Sequence, residues 1–234
     1  MEYFARHTGD AGPPGVTIRP TLGGPGASCA GAGGPLRPLP MTRGRLEAFS
    51  DGVIAIILTI MVLELRPPHG TGFADLAPLW PKLLSYTLSY VNVAIYWNNH
   101  HHLLHAVERV NGRVLWANMT LLFWLSLIPF ATAWMGEHAP APVTVAVYGT
   151  VLLLCGAAYF ALTRALLAIH AEGSPLARAL GQDWKGKASV LVYAAGVPVA
   201  FLSPWLSLLG IVGVAVLWLV PDSRFERVLE RERG

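Results

Sequence analysis

The sequence has few charged residues and only two cysteines. Asp, Glu, Lys and Arg make up 13% of its 234 residues, about half the share of roughly 25% that soluble domains carry. Cys29 lies in a glycine- and proline-rich segment and Cys155 in an apolar block, so the pattern predicts neither a disulfide framework nor a cysteine metal site. The net charge is only +3, with arginines scattered between apolar blocks, and no nucleic-acid partner is predicted.

Apolar residues, 53% of the chain, are grouped in long blocks. These blocks are about 16–25 residues long, the length that crosses a hydrocarbon core of about 30 Å. The pattern therefore predicts an all-α integral membrane protein with six transmembrane helices. The predicted ranges are 43–66 (helix 1), 80–105 (helix 2), 112–135 (helix 3), 143–169 (helix 4), 187–203 (helix 5) and 205–220 (helix 6).

Basic residues alternate between the connections of these six helices. They occur before helix 1, after helix 2 at Arg109 and Arg113, after helix 4, and in the tail, whereas the connection after helix 3 has none. Because cytoplasmic loops are enriched in Lys and Arg, both termini are predicted to be cytoplasmic, which agrees with an even number of spans. The sequence thus predicts a multi-pass protein of the cell membrane.

The chain divides into three predicted regions. Residues 1–42 are rich in glycine and proline and lack the apolar core of a cleavable signal peptide, so this segment is predicted to be disordered. The helices occupy 43–221, and residues 222–234 form a basic cytoplasmic tail. Met41 stands directly before Thr-Arg-Gly-Arg and helix 1, which suggests a translation start there that N-terminal sequencing would test.

Helix 1 has its polar residues at the cytoplasmic end and an almost wholly aliphatic middle. Ser50 and Asp51 are predicted to point towards neighbouring helices, and an unpaired Asp51 carboxylate one turn inside the membrane would be costly. Asp51 is therefore expected to have partners. At 100° per residue, the opposite side forms one stripe of Phe49, Gly52, Ile56, Thr59, Ile60 and Leu63.

Helix 2 ends in a polar run that begins at Trp97 and includes three consecutive histidines. With cytoplasmic termini, this run lies at the membrane depth of Asp51, and so does the start of helix 3. A hydrogen-bonded network would satisfy these buried polar groups. Its predicted members are Ser50, Asp51, Trp97, Asn98, His100, His101 and Asn118.

The opening of helix 1 resembles the signature of the transmembrane-protein-175 family, which comprises potassium channels of prokaryotes and of animal lysosomes. The signature residues here are Arg45, Phe49, Ser50 and Asp51 in the pattern Arg-x-x-x-Phe-Ser-Asp. The pattern Trp-x-x-His-His at residues 97–101 is similar to the prokaryotic members. Over about 43–220 the resemblance rests on span number and topology.

This resemblance implies a potassium-preferring channel with no enzymatic activity, no cofactor, and potassium ions and the bilayer as partners. It implies a homotetramer whose pore is lined by helix 1, without a reentrant filter loop. Consistently, no Thr-Val-Gly-Tyr-Gly segment occurs. By position, Ile56 corresponds to the hydrophobic constriction, Thr59 to a threonine layer implicated in ion preference, and Leu63 to the next hydrophobic ring. Alternatively, the Thr59 hydroxyl bonds only to its own helix.

Three other functions stay open at this point: a secondary transporter, a membrane metal-binding protein, and a scaffold without transport, which a lack of any ion flux would favour. A secondary transporter normally shows internal repeats and helices interrupted near the midplane, and no convincing repeat relates 43–135 to 143–220. A membrane metal-binding protein would use His101 and His105, whose i, i+4 spacing is that of a two-histidine zinc site. A third ligand is missing unless Asp51 or a second subunit provides it, so no metal site is predicted.

Overall fold

The computed structural model describes residues 42–107, 109–138, 140–170, 177 and 184–219. The predicted disordered segment (1–42, apart from Thr42), Met41 and the predicted basic tail (222–234) lie outside these ranges. Within them the chain forms seven α-helices and one short 3-10 helix. They are α1 (Arg43–Leu63), the 3-10 helix (Phe73–Leu79), α2 (Trp80–His105), α3 (Gly112–Ser126), α4 (Ile128–Glu137), α5 (Pro142–Leu167), α6 (Trp184–Leu202) and α7 (Pro204–Leu219).

Four helical segments in the described ranges are long and apolar enough to cross a membrane. They are Arg43–Leu63, Gly112–Glu137, Pro142–Leu167 and Trp184–Leu202. α2 is longer than α1, at 26 residues, but its buried face carries Ser85, Ser89 and Asn92, which lower its hydropathy. α7 is apolar and has only 16 residues, slightly fewer than the usual minimum of about 17.

The predicted helix 3 is interrupted. Its range contains α3 and α4, which meet at Leu127, where the Leu127 N–H bonds to the carbonyl of Trp124 in a tight final turn. Pro129 is the second residue of α4. Proline has no N–H to bond the carbonyl four residues earlier, so the ladder of hydrogen bonds breaks here. α3 and α4 reach the length needed to cross a membrane only when they are taken together as one span, Gly112–Glu137.

α5 lies at the centre of the bundle and α1 at its edge. α5 contacts α3, α4, α6 and α7, and its side chains Tyr148, Leu152, Cys155 and Leu162 are fully buried. α1 packs mainly against α2, α3 and α4. The first helix therefore has one packed side and one side that no other described element covers.

α4 crosses α2 at very short range. A Cβ atom added at Gly136 would lie 3.0 Å from the Cα atom of Lys82, so glycine is what allows the two backbones to approach. Nearby, the Lys82 ammonium lies 3.3 Å from the Glu137 carboxylate. This contact fixes α4 against the beginning of α2, at the end of that helix opposite to the histidine run.

Candidate pore-lining helix and its polar anchor

α1 has a packed face that is apolar except for one serine. Leu46, Ser50, Ile54, Ile57 and Met61 are buried, at the three- and four-residue spacing that places side chains on one side of a helix. They face α2, α3 and α4, the helices that α1 contacts. The orientation of α1 about its own axis is therefore fixed by packing.

The opposite face of α1 is the predicted stripe, and all of its members are exposed. Phe49 is 54% exposed, Ile56 58%, Ile60 43% and Leu63 76%, and Gly52 and Thr59 are exposed as well. The Thr59 hydroxyl donates to the carbonyl of Ile56 at 2.9 Å. A row of large aliphatic side chains thus lies uncovered on a helix whose other side is tightly packed.

The signature motif is divided between these two faces. Arg45 and Phe49 lie on the exposed side, whereas Ser50 is fully buried and Asp51 half-buried. The indole N–H of Trp97 donates to Asp51 Oδ1 at 3.0 Å. Asp51 thus has a hydrogen-bond partner, as is expected for a carboxylate in an apolar helix.

A chain of buried hydrogen bonds joins α2, α3 and α1. The Asn118 amide N–H donates to the Ser50 hydroxyl at 2.9 Å, and that hydroxyl donates to the carbonyl of Leu46. His100 Nε2 lies 2.8 Å from Asn118 Oδ1, so this ring nitrogen is the donor. His100, Asn118 and Ser50 are at most 1% exposed, and we call this chain the polar anchor.

Four predicted members of the network lie outside the polar anchor: Asp51 and Trp97, which pair with each other, and Asn98 and His101. Asn98 is exposed on α2. His101 stacks on Trp97, with ring centroids 5.7 Å apart, and its Nδ1 atom lies 3.2 Å from Glu47 Oε1. His105 Nδ1 lies at the same distance from that oxygen. The position of Glu47 beside these histidines was not predicted from the sequence.

A second buried polar cluster was also missed. The Ser89 hydroxyl donates to the Tyr148 hydroxyl at 2.9 Å, and Thr132 Oγ1 lies 2.7 Å from Ser89 Oγ. Asn92 accepts from Tyr193 at 3.4 Å. These contacts join α2 to α4, α5 and α6. The signal in the sequence was the i, i+3 spacing of Ser89 and Asn92 in α2.

An apolar groove runs beside the exposed stripe. It lies between α1 and α4 and is lined by Ile56, Ile60, Phe130 and Trp134, among others. Phe130 is 63% exposed. The uncovered apolar surface of α1 therefore continues onto α4.

Comparisons with known proteins cover most of the described fold. Residues 45–129 match the family described as endosomal/lysosomal potassium channel TMEM175. A potassium channel of Chryseobacterium sp. (strain P1-3) is 47% identical over 190 residues, which are 81% of this chain and 99% of that protein. A potassium channel of Streptomyces collinus is 33% identical over 127 residues, which are 51% of this chain and 62% of that protein.

A solved structure has a similar fold. It is described as a lysosomal potassium-selective channel TMEM175 homolog from Chamaesiphon minutus, and it matches with a TM-score of 0.66 at 28% identity, over 76% of this chain and 96% of that chain. The chain is thus an all-helical membrane protein with the fold of an ion channel. It belongs to the TMEM175 family, as the Arg45–Asp51 motif predicted. The relatives do not favour a transporter or a metal-binding protein.

Proposed function

We propose that the protein is a potassium-permeable, potassium-preferring channel of the cell membrane, formed by several copies whose α1 helices surround one pore. The observation that carries this proposal is the exposed stripe on α1, opposite a face held by the polar anchor. The Chryseobacterium relative, which this chain matches over 99% of its length, is named a potassium channel. A homotetramer follows by analogy with family members that have one six-helix unit.

The packed face of α1 holds the exposed stripe in one direction. A helix surrounded by lipid on every side can rotate without loss, since lipid tails are equally apolar in every direction. α1 instead has a rotation fixed by Ser50 and Asn118, which hydrogen-bond in the core at 2.9 Å. A fixed rotation keeps one stripe directed at one place, as the wall of a pore requires.

In an assembly, copies of Ile56, Ile60 and Leu63 form hydrophobic rings around the axis. Narrow rings of this kind exclude water and block ions, and slightly wider rings become wet and conduct. Such a constriction is the gate in this proposal. It replaces the reentrant filter loop of other potassium channels.

Thr59 contributes an oxygen between these rings. Because its hydroxyl hydrogen is directed to the Ile56 carbonyl, its lone pairs are free to face a cation. The bond within the helix and the pore role are therefore compatible. Potassium gives up hydration water more easily than sodium, so a narrow passage with few oxygen ligands favours potassium.

The membrane topology in this proposal has six spans, with α3 and α4 together forming the third. Both termini are placed in the cytoplasm, because the basic residues Arg43, Arg45, Arg109 and Arg113 lie near the start of α1 and the connection from α2 to α3, which the hydrogen bond from Arg43 to the Val107 carbonyl joins. The ion then passes the anchor level at the cytoplasmic mouth before it reaches Ile56.

The experiment is ion flux from liposomes that contain the purified protein, first with a potassium gradient and then with a sodium gradient. We expect potassium flux above that of empty liposomes and above the sodium flux. Equal flux of both ions would contradict potassium preference. No flux from protein that is folded and assembled would contradict a conducting pore.

A further inference from the structure

Two histidines and one carboxylate meet where α1 and α2 contact each other. His101 Nδ1 and His105 Nδ1 each lie 3.2 Å from Glu47 Oε1, and the three ligand atoms all lie within 4.8 Å of one another. The imidazole centroids are 4.1 Å apart. The cluster is separate from the polar anchor and from the exposed stripe.

The distances are those between neighbouring ligands of one metal ion. In a tetrahedral site with bonds of about 2.0–2.1 Å, adjacent donor atoms lie about 3.3 Å apart. Each of the two nitrogens already lies at nearly this distance from the oxygen, and the two nitrogens lie within 4.8 Å of each other, so a metal ion needs only small rotations of the side chains. Two imidazoles and one carboxylate, with water as fourth ligand, form a donor set that suits Zn²⁺.

The surroundings orient these ligands. The His101 ring is stacked on Trp97, which is itself fixed by Asp51. Arg43 Nε lies 3.9 Å from the other carboxylate oxygen of Glu47, Oε2, which leaves Oε1 directed at the histidines. The side chains of His101 and His105 are 36% and 48% exposed, so an ion can reach them from solvent.

We propose that Glu47, His101 and His105 bind a divalent transition-metal ion, best Zn²⁺, which clamps α1 to α2. Without the metal, His105 Nδ1 also contacts the carbonyl of His101 at 3.1 Å, and metal binding replaces this contact. The ion joins two helices that otherwise meet here through side-chain hydrogen bonds. It therefore restrains the end of α1 that precedes the exposed stripe.

The test uses full-length protein without a polyhistidine tag, purified in detergent and stripped with a chelator. Zn²⁺ is added by equilibrium dialysis and counted per chain, and Co²⁺ serves as a spectroscopic probe with visible absorption. The variants are His105→Ala and Glu47→Gln. The matched control is His138→Ala, because His138 is also exposed and its Nδ1 also lies 3.1 Å from the carbonyl four residues earlier.

We expect one Zn²⁺ per chain for the unmodified protein and for His138→Ala, and loss of this ion in both other variants. The visible Co²⁺ bands should disappear with it. Zn²⁺ should raise the Tm of the unmodified protein and leave that of His105→Ala unchanged, because a ligand stabilises only the state that binds it. None of these measurements depends on ion conduction.

Two results would overturn the proposal. One is the absence of bound Zn²⁺ in folded, unmodified protein, which would make the cluster a purely hydrogen-bonded contact in which one carboxylate oxygen accepts from two imidazoles. The other is equal binding by all four proteins, which would place the ion elsewhere on the chain. Glu47→Gln keeps the shape of the side chain, so this variant still tests the site if His105→Ala does not fold.

Discussion

At the residue scale, the amide of Asn118 connects three helices. It contacts His100 on α2 and Ser50 on α1 from its own position on α3, and it is fully buried. Asn118→Leu keeps the branched shape and the number of side-chain heavy atoms but leaves the His100 donor without an acceptor. An unsatisfied buried polar group costs about 1–3 kcal/mol, so the Tm in detergent should fall.

The matched control for Asn118→Leu is Asn98→Leu, since Asn98 is exposed on α2. We expect its stability to change by no more than about 0.5 kcal/mol, as for surface substitutions generally. Equal Tm losses for the two variants would mean that the polar anchor does not determine stability.

Ile56→Asn should raise the basal potassium flux. Ile56 is more than half exposed on the stripe, and an amide in a hydrophobic ring keeps the constriction wet. A barrier lower by about 1.4 kcal/mol corresponds to about tenfold faster passage. The measurement is liposome flux, with Leu191→Asn on the exposed side of α6 as control. An unaltered flux from Ile56→Asn would remove this residue from the gate.

Thr59→Ala should lower the ratio of potassium to sodium flux towards one, because it removes the oxygen that faces the ion. Thr59→Ser retains that oxygen and should retain most of the ratio. If Thr59→Ala and Thr59→Ser have the ratio of the unmodified protein, ion preference arises from the width of the constriction alone.

Residue types and membrane depth predict that Ser50, His100 and Asn118 lie together, but not which of the other polar groups join them. Depth along the helices brings Ser50, His100 and Asn118 to one level, and the cost of burying polar groups requires that they be paired. Membrane depth does not predict the direction in which each side chain points around its helix. For this reason Asn98 was expected in the network, and Glu47 was not expected beside His101.

At the element scale, the close crossing of α2 and α4 depends on a glycine. Gly136→Ala would place a Cβ atom 3.0 Å from the Lys82 backbone, so α4 would have to move. Overpacking of this kind costs about 1–3 kcal/mol, and the Tm in detergent should fall. Gly213→Ala on α7 is the matched control, because a Cβ atom there meets nothing within 4 Å. A Tm loss confined to Gly213→Ala would contradict this packing.

The elements themselves were predicted with different success. The length of the apolar blocks predicts the main helices, because a helix that crosses the bilayer needs a block of sufficient length. The break at Leu127 was missed, although Pro129 is its visible cause, because apolar residues continue without interruption on both sides. The 3-10 helix Phe73–Leu79 was missed too, because a segment this short has too few residues to show a helical periodicity.

At the scale of the whole molecule, the position of α1 is what makes a shared pore possible. α1 lies at the edge of the bundle and α5 at the centre, so a single copy encloses no passage along the stripe. Several copies can place their stripes around one axis while α5 and its neighbours remain outside.

The central claim is that the exposed stripe of α1 lines the pore, and silver-ion block of cysteine variants tests it most directly. Ag⁺ is close to K⁺ in size and binds thiols tightly. Ile56→Cys and Ile57→Cys are compared in a background with Cys29→Ser and Cys155→Ala, because Ile56 is 58% exposed and its neighbour Ile57 only 3%. Both variants must first show potassium flux. We predict that Ag⁺ stops the flux through Ile56→Cys and spares Ile57→Cys; continued flux through Ile56→Cys in the presence of Ag⁺ would contradict a pore lined by α1.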